Sequence, residues 1–364
     1  VGMSDHIKGF YSLELTLTDA CNFRCSYCFE GDECLKTTTL DCVEDIFDAI
    51  EKMLNDRWFT SIHEGIKIGF WGGEPTLRPD ILTQFVERYK DDDRIKFHIY
   101  TNGYDIEPLM DIFEECKEKI DVQISYDGKK IHDIKRVLVN GEGTADRVKE
   151  SIYRLRERGF YGGLKSTVTY DTIQYMPECW DDIKKIYDDL GDGIGYNITI
   201  DYFNDDNIGM DVVRKSFIEL AKREVEFYKE HHHHLFSWFN STHPMNCSFF
   251  KYGMAINTSG EMLYCHGCGY SCDVKDFTFG HISDDDFLDK LKRNYEYFDL
   301  PKIEGCKDCF ATHCAMCNVV KYEHSAKENF YDKWHDVSCQ SDKCDIFKEF
   351  SKVSISLRDI MGGK

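Results

Sequence analysis

Three cysteines share one short run, Thr18-Asp19-Ala20-Cys21-Asn22-Phe23-Arg24-Cys25-Ser26-Tyr27-Cys28-Phe29. Their spacing is CxxxCxxC. Three thiolates on one loop can hold three irons of a cubane iron–sulfur cluster. No fourth thiolate stands nearby, so one iron stays open to a small molecule and to electron transfer. A zinc knuckle is the competing reading, but zinc favours paired CxxC units with four ligands. An apolar, extended stretch at 11–18 precedes the loop.

A second apolar stretch, 66–71, runs into Gly72-Gly73-Glu74-Pro75. Glycines at a strand end allow close backbone approach, and Glu74 offers a carboxylate to an ammonium. Taken with the cysteines, this resembles the radical S-adenosylmethionine (radical SAM) superfamily. The resemblance implies a partial (β/α)6 barrel, an α/β fold. It implies that a [4Fe-4S] cluster on Cys21, Cys25 and Cys28 binds SAM, whose amino group meets Gly72, Gly73 and Glu74. One electron from the cluster then releases a 5′-deoxyadenosyl radical that takes a hydrogen atom from substrate.

The resemblance also carries pocket residues. Tyr27 stands where the family contacts adenine, largely through backbone. Ser125, in Ile124-Ser125-Tyr126-Asp127-Gly128, matches a polar position near the SAM ribose or carboxylate, with a turn-forming serine as the alternative. His132-Asp133-Ile134-Lys135-Arg136 resembles the family's HDxxR stretch, so Arg136 is expected to face a carboxylate. Asn102, in Thr101-Asn102-Gly103, is a further pocket candidate.

Ten of the seventeen cysteines lie between Cys247 and Cys344. Ile256-Asn257-Thr258-Ser259-Gly260 reads as a hairpin turn that delivers Cys265. The run Cys306, Cys309, Cys314, Cys317 packs two CxxC units close together. This resembles the SPASM extension of peptide-modifying radical SAM enzymes, although the spacing CxxCxxxxCxxC departs from the family's. The resemblance implies one or two auxiliary [4Fe-4S] clusters. One would use Cys247, Cys265 and Cys317, with Cys268, Cys272 or no fourth ligand. The other would use Cys306, Cys309, Cys314 and Cys339, with Cys344 as a competitor. Tetrathiolate zinc is the alternative at these pairs. No catalytic side chain is assigned. His266, which follows Cys265, and Cys34, just past the first loop, are candidates. Cys116 and Cys179 read as small apolar helix residues.

Those motifs need elements to position them. Candidate strands at 11–18, 66–71, 96–100, 122–126, 164–170 and 196–201 alternate with candidate helices at 42–55, 80–90, 106–117, 145–158, 177–190 and 212–229. The alternation argues for parallel strands with crossover helices. Chemistry in such barrels sits at the carboxyl ends of strands, where both the cysteine loop and Gly72-Gly73-Glu74 fall. Residues 1–235 are expected to form the barrel and 236–364 a small cysteine-rich SPASM-like domain. The four histidines at 231–234 read as a solvated helix end.

Composition bounds the partners. The chain has 364 residues and a formal net charge of −21. Such a surface repels nucleic acid and anionic membranes. The beginning of the chain has no apolar signal segment, so a cytoplasmic location is expected, and metal clusters explain the cysteines better than disulfides. The expected substrate is a peptide or small protein, with an external flavodoxin- or ferredoxin-type reductant. The expected reaction is an oxidative thioether or carbon–carbon crosslink in a ribosomally made peptide. Formylglycine formation of the sulfatase-maturase type, peptide epimerisation and small-molecule dehydrogenation share the scaffold. Sulfatase maturases usually carry Asp where His266 stands. A non-catalytic iron–sulfur or zinc scaffold belongs to a different class and would need no SAM pocket.

Overall fold

The computed structural model describes residues 9–28, 30–31, 36–160, 162–169, 171–191, 194–200, 209–236, 249–267, 278–297 and 351–352. Six parallel strands carry the architecture: β1 (Gly9–Thr16), β2 (His63–Trp71), β3 (Ile95–Thr101), β4 (Ile120–Ser125), β5 (Gly162–Val168) and β6 (Ile194–Ile200). They lie side by side in chain order. Helices α1 (Val43–Asn55), α2 (Arg57–Ile62), α3 (Pro79–Tyr89), α4 (Glu107–Phe113), α5 (Lys129–Lys135), α6 (Ala145–Glu157), α7 (Met176–Leu190) and α8 (Met210–His231) connect or follow them. This is the α/β, mostly parallel arrangement expected of the partial barrel.

Alternation along the strands explains the layering. Leu13, Leu15, Ile66, Ile68, Phe70, Phe97, Ile99, Val122 and Ile124 are buried in one apolar core with the helix side chains. Residues between them project to the other side of the sheet. That inner face is polar: Ser12, Glu14, Lys67, Gly69, His98, Tyr100, Gln123, Ser125 and Lys165 all lie on it. Glu14 is buried there, and its Oε1 accepts hydrogen bonds from Ser12 Oγ at 2.9 Å and Tyr100 Oη at 3.1 Å.

Several boundaries differ from expectation for local reasons. The first strand stops at Thr16, because Leu17 donates to the Trp71 carbonyl at 2.9 Å and the chain then bends across the end of β2. The helix expected over 106–117 gives way after Phe113 to a 3-10 stretch, Glu114–Lys119, in which Cys116 leaves helical geometry. Helices α2 and α5 are too short to show a period. Asp56 caps α2 by accepting from the Phe59 N–H at 2.9 Å. Cys116 and Cys179 are buried, as expected. The histidine run departs from a solvated end. His232 ends α8 in a left-handed turn (φ 61°), while His234 is buried, with Nδ1 3.1 Å from Glu224 Oε2.

The expected hairpin is present. After a short helix α9 (Phe249–Tyr252), β7 (Gly253–Ile256) and β8 (Glu261–Leu263) pair antiparallel around a turn in which Gly260 has φ 84°. β9 (Thr278–His281) adds beyond β8, and a helix, Phe287–Tyr297, follows. β7 pairs parallel with β1. One sheet of nine strands therefore runs across the boundary expected at 235/236. Among the described residues no helix is long and apolar enough to cross a membrane.

Phe97 and Phe70 stack at 5.9 Å beneath the helices, both fully buried. Phe97→Ala is expected to cost roughly 3–5 kcal/mol. The check is the thermal unfolding midpoint, which should fall by several degrees; an unchanged midpoint would contradict this packing.

Candidate active site at the carboxyl ends of the strands

The loop that carries Cys21, Cys25 and Cys28 leaves β1 and lies directly on the end of β2. Gly73 N–H donates to the Thr18 carbonyl at 2.8 Å, and Glu74 N–H donates to the Ala20 carbonyl at 2.9 Å. The glycines exist for this contact. A Cβ on Gly72 would stand 2.3 Å from the Thr18 oxygen, and one on Gly73 would stand 2.3 Å from the Ala20 oxygen. Gly72 also has φ 131°, a conformation side chains rarely adopt. Glycines at a strand end also permit close approach of a ligand. The structure adds that they admit the cysteine loop itself.

The Glu74 side chain, expected to offer its carboxylate to an ammonium, is buried. Oε1 accepts from Thr76 N–H at 3.1 Å and Thr101 Oγ1 at 2.8 Å, and Oε2 accepts from Asn102 N–H at 2.7 Å. Three donors hold it onto the end of β3. Burial pushes its carboxyl up, and those hydrogen bonds oppose the shift. Asn102 in turn donates from Nδ2 to Asn22 Oδ1 at 2.7 Å, tying β3 to the cysteine loop.

The far side of the loop is held by the chain after β4. Arg24 N–H donates to the Val137 carbonyl at 2.7 Å and Ser26 N–H to the Lys135 carbonyl at 3.0 Å. Beneath them lies a fully buried carboxylate, Asp127. Its Oδ2 accepts from Tyr27 Oη at 2.7 Å and Arg136 Nε at 2.8 Å. Its Oδ1 accepts from the Thr167 N–H of β5 at 2.8 Å. The Arg136 guanidinium also lies 5.1 Å from the Tyr27 ring centroid. Burial raises the Asp127 carboxyl; Arg136, His132 and these hydrogen bonds outweigh it and hold the group below the usual carboxylate range. Arg136 was expected to face a ligand carboxylate. It is buried and paired with Asp127 instead. Asp127 carries no role in the sequence motifs. The signal was an acidic residue just past a strand end, nine positions before an arginine.

The three thiols are half-buried and form no disulfide. Burial, the nearby Glu74 charge and the Cys25 and Cys28 thiolates push the Cys21 thiol up, against a hydrogen bond from Phe23 N–H. The Arg136 guanidinium lies within electrostatic reach of Cys25, and Arg24 Nη1 donates to the Cys21 carbonyl at 2.9 Å. Among the described residues no three His, Cys, Asp or Glu side chains gather closely enough for a single metal ion. The donor set fits a multi-iron cluster.

Ser125 ends β4 on the inner face, half-buried. Cys265 follows β8, and His266 stacks on Trp71 with ring centroids 4.2 Å apart. Trp71 immediately precedes Gly72, so the structure brings His266 beside the Gly72-Gly73-Glu74 segment. Thr258, in the β7–β8 turn, reaches Asp19 Oδ2 at 3.5 Å, two residues before Cys21. Cys34, Cys247, Cys268, Cys272, Cys306, Cys309, Cys314, Cys317, Cys339 and Cys344 lie outside the described residues.

A family model of the radical SAM superfamily matches residues 15–190. Fold and match together support the radical SAM superfamily. An uncharacterised protein of Methanocaldococcus jannaschii is 30% identical over 176 residues, covering 47% of this chain and 58% of that protein. The radical SAM cyclopropyl synthase TigE of Paramaledivibacter caminithermalis is 24% identical over 217 residues, covering 56% of this chain and 45% of that protein. The chain thus spans about half the length of the curated relatives it matches. Among solved structures, anSMEcpe with bound AdoMet and the Cp18Cys peptide superposes with a TM-score of 0.72 at 17% identity, over 97% of this chain and 99% of that chain. Streptococcus suis SuiB bound to precursor peptide SuiA superposes with a TM-score of 0.60 at 15% identity, over 91% of this chain and 76% of that chain. At these identities the superpositions establish the radical SAM barrel fold.

Asp127→Asn removes the charge that holds Tyr27 and Arg136 and leaves the arginine buried without a counter-charge, a loss of roughly 3–5 kcal/mol. The expected outcome is a lower unfolding midpoint and reduced iron retention on the cysteine loop after anaerobic gel filtration. Wild-type iron content and stability would contradict the anchoring role.

Proposed function

We propose that this chain is a radical SAM enzyme that oxidatively modifies a peptide side chain, forming a thioether or carbon–carbon crosslink in a ribosomally made peptide. The observation that carries the reading is the seating of the three-cysteine loop on Gly72-Gly73-Glu74 at the strand ends. In this reading Cys21, Cys25 and Cys28 hold three irons. When bound, the cluster and SAM supply the 5′-deoxyadenosyl radical that abstracts hydrogen.

The chain's own residues do the positioning. Asp127 and Arg136 hold Tyr27 and with it the loop. Asn102 and Glu74 couple β3 to the loop, and Ser125 offers a hydroxyl to the SAM ribose or carboxylate. The polar inner face of the barrel receives the substrate. Cys247, Cys265, Cys268, Cys272, Cys306, Cys309, Cys314, Cys317 and Cys339 would hold one or two auxiliary clusters, which would supply an acceptor for the electron left after hydrogen loss. A flavodoxin- or ferredoxin-type protein delivers the first electron. His266, beside Trp71, is the candidate to accept a substrate proton. Peptides bound by anSMEcpe and SuiB support a peptide substrate. The similarity to TigE, a radical SAM cyclopropyl synthase, supports radical SAM chemistry that builds new bonds.

The test is anaerobic incubation of reconstituted protein with SAM and dithionite, read by chromatography for 5′-deoxyadenosine. Wild type is expected to release it, and the Cys21→Ala, Cys25→Ala, Cys28→Ala triple variant to release none while keeping auxiliary iron. Release by the triple variant would overturn the assignment. Mass spectra of short peptides encoded beside the gene should then show a loss of two hydrogens. An unchanged formula with one deuterium gained at carbon in deuterium oxide would mean epimerisation instead.

A further inference from the structure

Glu14 sits on the inner face of the barrel, 3% exposed, with one oxygen spent and one left over. Oε1 accepts from Ser12 Oγ and Tyr100 Oη. Oε2 is buried and has no hydrogen-bond partner. Among the described residues no lysine, arginine or histidine lies within ion-pair range of the carboxylate. Buried carboxylates are normally paired, and the cysteine-loop site makes no use of this one. Its neighbours in register are Gly69 on β2 and Ala255 on β7, which bring no polar side chain. A Cβ on Gly69 would stand 1.9 Å from Oε2. The glycine lets the carboxylate lie flat over β2 and reach Tyr100 on β3. Lys67, the next inner-face residue toward the amino end of β2, acts on Asp121. His98 also serves Asp121, with Nδ1 3.8 Å from Oδ2.

Aromatic rings gather between this carboxylate and the strand ends. Glu14 lies two residues short of the end of β1, a depth of roughly 7 Å. Trp71 ends β2, and its ring centroid is 4.8 Å from that of Tyr100 and 4.2 Å from that of His266. The Tyr100 and His98 rings are 4.2 Å apart. Burial and the Glu14 charge push the Tyr100 hydroxyl up, so it remains a donor to the carboxylate. Rings above a buried carboxylate suit a long side chain with a cationic tip. The ring faces attract the cation, and the spare oxygen accepts a charge-assisted hydrogen bond from it. The four-carbon stem of a lysine is long enough for a depth of two strand residues.

We propose that Glu14, with Tyr100 beside it, binds the cationic side chain of a lysine or arginine of the substrate, whose backbone stays at the carboxyl ends of the strands. The inference rests on the peptide-modifying reading and narrows the substrate to a peptide with a basic residue that enters the barrel. A chain with a formal net charge of −21 attracts such a peptide. Glu14 acts on substrate selection and position and is not assigned a part in bond making.

The test uses full-length, anaerobically reconstituted protein loaded with SAM. Its probes are pentapeptides of glycine with lysine, arginine or norleucine at the centre, and titration calorimetry gives their dissociation constants. Wild type is expected to bind the lysine and arginine peptides roughly ten- to a hundredfold more tightly than the norleucine peptide. Glu14→Gln keeps the side-chain shape and should bind all three at the norleucine level, with iron content, SAM binding and unfolding midpoint unchanged. Glu14→Asp keeps the charge, should retain part of the preference, and covers the case in which the Gln variant does not fold. Glu64→Gln removes an exposed carboxylate from β2 and should leave the preference intact. Equal affinity of wild type for the lysine and norleucine peptides would overturn the proposal and leave the peptide reading standing. So would a preference that survives Glu14→Gln. Binding of none of the three peptides would overturn the peptide reading and the proposal with it. Failure of iron-loaded wild type to cleave SAM would instead overturn the radical SAM reading.

Discussion

The buried Asp127–Arg136 ion pair is the contact from which the site hangs. A carboxylate with no exposed surface costs several kcal/mol to desolvate and survives only with full pairing. Asp127 has it: a guanidinium, the Tyr27 hydroxyl and a backbone N–H from β5. Through those bonds one side chain joins the cysteine loop, the end of β4, the end of β5 and the chain after α5. His132 supports it, accepting from the Asp127 N–H at 3.4 Å and reaching Thr144 Oγ1 at 3.1 Å. Burial lowers the His132 imidazole to about 4, so it stays neutral at physiological pH. The sign for Asp127 follows from its depressed carboxyl: the pair's stabilisation is present above the unfolded carboxyl range and is lost as pH falls through the folded value.

The opposite side of the loop is held by a different device, close backbone approach. Gly72 and Gly73 let Thr18, Asp19 and Ala20 lie against the end of β2, and Glu74 locks that end to β3. The loop is thus clamped from two directions, by backbone on β2 and by charge beneath β4. Both clamps act at the carboxyl ends of parallel strands, the usual position for chemistry in such barrels. The hairpin after residue 252 reaches the same place through Thr258 on Asp19 and His266 on Trp71.

Much of this was legible in the residues. Alternating apolar runs located all six parallel strands, because each buries one face under helices and shows a period of two. The cysteine spacing and Gly72-Gly73-Glu74 located the site, and the Ser259-Gly260 turn located the hairpin. What stayed hidden was which partner each polar group takes. The residue types of Arg136 and Glu74 suit a ligand. The structure satisfies both inside the protein, through Asp127 in one case and the end of β3 in the other. Those partners lie across strands, and no local pattern records them.

The central claim is that the loop of Cys21, Cys25 and Cys28 holds a cluster with an iron open to SAM. The most direct measurement is the electron paramagnetic resonance spectrum of the reduced, anaerobically reconstituted protein before and after SAM is added. A cluster signal whose g values shift on addition of SAM is the predicted result, and it should vanish in the Cys21→Ala, Cys25→Ala, Cys28→Ala protein. A spectrum indifferent to SAM, or unchanged in that variant, would contradict the account.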